Sequence, residues 1–220
     1  MCRTSPTTPT ISRQTSASLA RTRLPTAACA DPHNSRARFS ETSTNLRRNH
    51  ELALQYFDQV RESPTTRIFF LHWHLRLHAE LGAAEAFLHA GDFTNAGRQA
   101  DRFLRLALST AEPNMQVHAW DVKSRAAIAT SDFDSARQCV HNALEILDRC
   151  DIPLAGWQLH RTAWNLYVAL GDREKANRHR ARAQELIMRV VDSFEPGEPL
   201  RESFLAAPAI RRIFEQSTTA

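Results

Sequence analysis

Apolar side chains recur at spacings of three and four along most of the chain, the pattern of helices that bury one face. The first such stretch runs from Leu46 to about Glu62, with Leu54, Phe57 and Val60 as its stripe, and ends before Ser63-Pro64. Ile68 through Ala90 predicts a long helix carrying Phe69, Trp73, Leu77, Leu81, Ala84 and Leu88 on one face. Phe93 to about Leu108 predicts its partner, with Ala96, Ala100, Phe103, Leu104 and Ala107 inward. A second pair spans Pro113 to about Leu147. Trp120, Ala127 and Ile128 line its first helix; Ala136, Val140, Ala143, Leu144 and Leu147 line its second. A third pair follows Pro153, with Trp157, Trp164, Leu166 and Tyr167, then Ala176, Ala183, Leu186, Ile187, Val190 and Phe194. Glu195-Pro196-Gly197-Glu198-Pro199 breaks the periodicity, and short helices Leu200–Ala206 and Ala209–Glu215 are expected to cap the end.

The turns between paired helices repeat as well. Gly91-Asp92-Phe93 with Ala96 returns as Ser131-Asp132-Phe133 with Ala136, and again as Gly171-Asp172-Arg173 with Ala176. The three Asp lie forty residues apart, and Pro113 and Pro153 keep the same interval. A fixed period of this length marks an all-α solenoid, in which each helix pair buries its apolar face against the next.

Residues 1–45 stand apart, rich in Ser, Thr, Arg and Pro and without periodicity, and are expected to be a disordered tail. An organellar transit peptide has a similar composition. The tail also explains the net charge of +4. Residues 1–50 hold eight Arg against Asp31 and Glu41, so the repeats themselves are slightly acidic and give no support to a nucleic-acid-binding body. No apolar run approaches the ~20 residues needed to span a membrane. Cys139 and Cys150 are eleven residues apart, too far along one helix to be bridged. With no Cys spacing suggestive of a staple, a reducing cytoplasm is the expected setting.

The turn residues, Trp120 and the small Ala96, Ala136 and Ala176 resemble tetratricopeptide (TPR) repeats. That family places an aromatic early in the first helix, a Gly-Asp-aromatic turn, and a small residue where paired helices touch. The family's usual period is about 34 residues; forty adds about one helical turn. The resemblance implies a right-handed α-solenoid of antiparallel helix pairs over 46–220, with a C-terminal cap from about 195. A more specific likeness covers roughly 65–216. Phe70-Leu71-His72-Trp73-His74-Leu75-Arg76-Leu77, the three turns, and the run from Leu200 to Arg211 look like the C-terminal long-helix TPR arm of large bacterial signalling ATPases and transcriptional regulators. That likeness implies a regulatory arm that binds a protein or peptide, without the GxxxxGK[ST] loop of the ATPase.

Candidate chemistry is sparse. His74 and His78 share a helix face, and His118 lies one period beyond His78, so a zinc site is conceivable in spacing; amphipathic groove histidines are the plainer reading. The run Arg173, Lys175, Arg178, Arg180, Arg182 lies opposite Ala176, Ala183 and Leu186 and reads as a solvated outer face. No nucleophile–base arrangement can be drawn, so neither an enzyme nor a cofactor is expected. What remains is the inner, first-helix surface. Register places His78, His118 and Gln158 in one row, Leu81, Asp121 and Arg161 in a second, and Glu85, Arg125 and Asn165 in a third. Such rows line the concave groove of a solenoid, where a peptide or partner helix docks. They also suggest an internal ladder, Asp121 with Arg161 and Glu85 with Arg125. A ligand-sensing domain with an apolar pocket between repeats is the alternative.

Overall fold

In a computed structural model the described residues are 49–62 and 72–215, and all belong to one unit, Ser40–Ala220. The expected tail over 1–45, its Cys2 and Cys29, the helix start at Ile68 and the stripe residue Phe69 lie outside the described residues. Among the described residues every regular element is an α-helix. Residues 49–62 form α1. The rest are α2 (His72–Ala90), α3 (Phe93–Leu108), α4 (Pro113–Ala129), α5 (Phe133–Leu147), α6 (Pro153–Ala169), α7 (Arg173–Val191), α8 (Pro199–Ala206) and α9 (Pro208–Glu215). The boundaries fall within a few residues of those the periodicity predicts.

The three turns are built alike, and the sequence repeat is the reason. At each, Gly91, Ser131 or Gly171 takes a left-handed backbone with φ of 76°, 61° and 74°. The N–H of the following Asp then reaches back to the carbonyl of Phe87, Ala127 or Tyr167, at 3.0, 2.9 and 2.9 Å, which closes the helix. The Asp side chain caps the next helix. Asp92, Asp132 and Asp172 accept from the backbone N–H of Asn95, Ser135 and Lys175 at 3.1, 3.1 and 3.0 Å. Hydrogen bonds from the side chains and then the backbone N–H groups of Asn95 and Ser135, and from the backbone N–H and then the side chain of Lys175, lower the pKa of the three carboxyls. Pro113 and Pro153 occupy the first helical turn, where no backbone hydrogen bond is lost.

Each pair closes over an apolar cluster that the next element completes, and the helices come close because small residues line the contacts. Ala84, Ala100, Ala107 and Ala119 surround Phe103 and Leu77 in the first. Ala136, Ala143, Ala155 and Ala163 surround Leu159, Leu166 and Val140 in the second. The third cluster combines Trp157, Trp164, Ala176, Ala183 and Ile187 with Ile210 and Ile213 of α9, so the closing helices do cover an apolar face. Trp120 packs on both the first and second clusters and ties them together. Gly82 admits the ring of α1's Phe57 against α2, since a Cβ there would lie 2.3 Å from Phe57 Cζ.

Paired helices pack most extensively, and the first helices also touch one another, α2 with α4 and α4 with α6. No comparably extensive contact joins α3 with α5 or α5 with α7. Three expectations are corrected. Trp73, placed on the buried stripe, is 42% exposed. Helix α7 ends at Val191, so Phe194 lies beyond it and packs against Phe204 instead. Arg180, placed on the solvated face, lies over Trp164 and donates from Nε to the Ile213 carbonyl at 2.8 Å, because α9 folds back across that part of α7 and its last carbonyls need donors. Cys139 and Cys150 are both free thiols; burial pushes the Cys139 pKa up to about 11.

Candidate functional site

The first-helix face carries the sequence-predicted residues on α2, α4 and α6, and the structure joins some of them. Arg125 of α4 forms a two-pronged pair with Glu85 of α2, one period away, with Nη2 to Oε2 at 2.9 Å and a second bond from Nη1 to Oε1. Asp121 lies one turn before it, its carboxylate 3.8 Å from the same guanidinium. Burial alone would lower the Arg125 pKa, but the hydrogen bonds it donates to Glu85 and the charges of Asp121 and Glu85 outweigh it and raise it. The Glu85–Arg125 rung of the expected ladder therefore exists.

The Asp121–Arg161 rung does not. Asp121 is 2% exposed and turned toward Arg125, while Arg161 lies across the ring of Trp157, 5.4 Å from its centroid. The indole four residues before Arg161 on the same helix offers its face, which competes with a carboxylate already engaged elsewhere. Asp121 thus belongs to the floor of this face and not to its exposed row. Arg161 and Arg212 form no ion pair among the described residues.

The histidine row is partly assembled. Nε2 of His78 lies 3.2 Å from Nε2 of His74. His118 is lowered in pKa by burial and by His78, against the opposing charges of Asp121 and Glu85. Among the described residues no three His, Cys, Asp or Glu side chains gather as a metal-ligand set. Gln158 is partly exposed and Asn165 exposed, on α6.

Two features escaped the sequence. A cavity of about 150 Å³ opens between α4, α6 and α9, lined by Arg125, Arg161, Thr162, Trp164, Asn165, Ala209 and Arg212. Arg212 comes from the closing helix, whose position relative to the repeats no period encodes. The second is the pair His160 and His179, with Nδ1 atoms 2.9 Å apart and Tyr167 stacked on His179. Burial first, and then the neighbouring imidazole, pushes the His160 pKa down to about 4. Its signal was the nineteen-residue offset between helices of one pair, visible only once the pairing is fixed.

No family model and no curated protein matches the chain. Among solved structures the chain is similar to BtubC (BKLC) from P. vanneervenii, with a TM-score of 0.58 and 13% identity, covering 77% of this chain and 63% of that one. The chain thus spans less than two thirds of that neighbour's length. A kinesin light chain of P. anserina with nearly identical TPR-like repeats aligns more loosely, with a TM-score of 0.39, 17% identity, and 78% and 86% of the two chains covered. No helix among the described residues is long and apolar enough to cross a membrane. Three capped turns at a forty-residue period, antiparallel pairs closed over small residues, and the likeness to BtubC give the chain an all-helical, TPR-like repeat fold.

Proposed function

We propose that the chain is a non-enzymatic scaffold whose first-helix face binds a protein or peptide. One observation carries this reading: three first helices lie side by side and present polar side chains, including Arg161 with no acidic partner. The first helices pack together more extensively than the second helices, which supports reading the first-helix face as the inner side of the curve. A peptide laid across it meets His78, His118 and Gln158 on one edge and Glu85, Arg125 and Asn165 on the other. The resemblance of the Leu200–Arg211 run supports the narrower reading of a bacterial regulatory arm, and a cytoplasmic setting goes with it. A ligand sensor would need an apolar chamber between units. Three cavities beside the repeats measure about 150 to 190 Å³ and each is lined by charged side chains, which supports the scaffold reading.

The test reverses the charge of the face without breaking its floor. Arg125 is unsuited, since Arg125→Glu would gather three carboxylates around Glu85 and Asp121. Gln158→Glu with Arg161→Glu alters partly exposed positions of two neighbouring rows instead. The control is Arg178→Glu with Arg182→Glu on exposed positions of α7. Capture of partners from a lysate of the source organism, quantified by mass spectrometry, is expected to be lost in the first variant and kept in the second. Retained capture in the first with loss in the second would move the binding surface to the second helices.

A further inference from the structure

The cavity between α4, α6 and α9 holds more positive charge than its acidic neighbours balance. Three guanidinium groups line it and no carboxylate does. Arg125 is answered by Glu85 and Asp121, but Arg161 and Arg212 are not answered by any acid among the described residues. Burial, and the nearby charges of Arg125 and Arg212, lower the Arg161 pKa against the pull of Asp121 and Glu85, so the cations are crowded.

A second observation points into the same space. Thr162 lines the cavity, is 1% exposed, and its hydroxyl makes no hydrogen bond among the described residues. One period earlier the equivalent residue is Val122, equally buried and packed in an apolar cluster. Packing at this position is served by two methyl-sized branches, so the Thr162 hydroxyl is an addition that packing does not explain. Asn165 adds an exposed amide at the rim, and Ala209 brings the first turn of α9.

We propose that this cavity is a binding site for the dianionic phosphoryl group of a phosphate monoester. Arg161 and Arg212 supply two uncompensated charges, which match a phosphoryl dianion and exceed a single carboxylate. Arg125, the Thr162 hydroxyl and the Asn165 amide add donors from other directions, as a tetrahedral group needs; a planar carboxylate is satisfied by one guanidinium fork. At about 150 Å³ the cavity is well below the roughly 300 Å³ that encloses a drug-sized ligand. Only the phosphoryl group enters, and the rest of the molecule lies along the first-helix face. The inference rests on the groove reading for that outer part alone. A phosphorylated side chain of a docked peptide and a free phosphomonoester share this chemistry.

Calorimetric titration of the full chain at constant ionic strength tests it, with phenyl phosphate and benzoate as probes. A short alanine-rich phosphoserine peptide and its unphosphorylated twin form the second arm. Phenyl phosphate is expected to bind saturably and benzoate at least about tenfold more weakly. Arg212→Gln should weaken phenyl phosphate about tenfold or more, and Thr162→Val severalfold. Arg211→Gln, on the same helix and paired with Glu215, should leave it unchanged. Tighter binding of the phosphopeptide than of phenyl phosphate assigns the ligand to a modified partner; equal binding assigns it to a free phosphomonoester. Absence of saturable binding, benzoate binding as tight as phenyl phosphate, or equal loss in the Arg211 and Arg212 variants overturns the proposal. Thr162→Val is nearly isosteric and carries the test should Arg212→Gln melt early. The titration needs no native partner, so its failure leaves the capture result of the groove variant standing, and the reverse also holds.

Discussion

Ser131 offers a sharp test of how the repeat turns work. It holds the left-handed conformation, φ 61°, that glycine holds in the other two turns. A side chain in that region costs about 1–2 kcal/mol relative to the right-handed one. Ser131→Gly removes this cost but lets the unfolded chain roam more freely, which takes back about 0.4–1 kcal/mol. The Ser131 side chain makes no hydrogen bond of its own among the described residues, so nothing else is lost. The net expectation is a gain of about 0.5–1 kcal/mol. For a domain of this size that raises Tm by about 1–4 °C. The mirror experiment is Gly171→Ala: no atom lies within 4 Å of the added Cβ, so only backbone strain acts, and a loss of about 1 kcal/mol is expected. Urea midpoints followed by circular dichroism suit both, because repeat arrays can melt piecewise and a single Tm then misleads. Destabilisation by Ser131→Gly, or an indifferent Gly171→Ala, would refute the claim that backbone handedness governs these turns.

Three further outcomes are expected. Ala136→Leu should cost about 1–3 kcal/mol, since Ala136 is fully buried where α5 meets α4, its carbonyl 3.4 Å from Ser124 Oγ; a variant as stable as the parent in urea melts would place the repeat contacts elsewhere. His160 stays neutral in the folded chain to about pH 4 but binds a proton near 6.5 when unfolded, so the unfolded state takes up protons first as pH falls. Stability should therefore drop by about 3 kcal/mol from pH 6.5 toward 4, and His160→Gln should flatten that slope in pH-dependent melts. Removal of residues 1–45 is expected to leave the helix signal and Tm unchanged; a cooperative loss would make that segment structural.

The architecture was legible because one signal, the forty-residue repeat, fixes several things together. Asp92, Asp132 and Asp172 mark the caps, Pro113 and Pro153 mark the starts, and the alanines mark the contacts between helices. The same period gave the Glu85–Arg125 rung, since equivalent positions on neighbouring first helices face each other. It failed wherever a local alternative competed. Arg161 has Trp157 one turn away and takes the indole face, a choice that spacing does not reveal. Trp73 fits the helical stripe of α2 yet is partly exposed, for the stripe marks an orientation and not the presence of something to cover it. Arg180 and Arg212 depend on where α9 lies, and α9 sits outside the repeat. Thr162 looked like any polar residue until the structure placed it at a cavity with no hydrogen bond to its hydroxyl among the described residues.

The strict register has a consequence for how such a chain can be cut and spliced. Met115, Ala119 and Val122 of α4 fill the first cluster, and the residues one period on are Ala155, Leu159 and Thr162 of α6. Excision of residues 113–152 would bring α6 onto α3 with the same geometry, joined at the same proline. The volume lost at Met115 is largely returned at Ala119, where Leu159 would stand. Glu85 would then face Asn165 instead of Arg125, exchanging an ion pair for a single amide hydrogen bond. Duplication of the same forty residues would lengthen the array and give the new Arg at that row an Arg neighbour. Apolar contacts accept either edit, while the charged rungs record how many units there are and in what order.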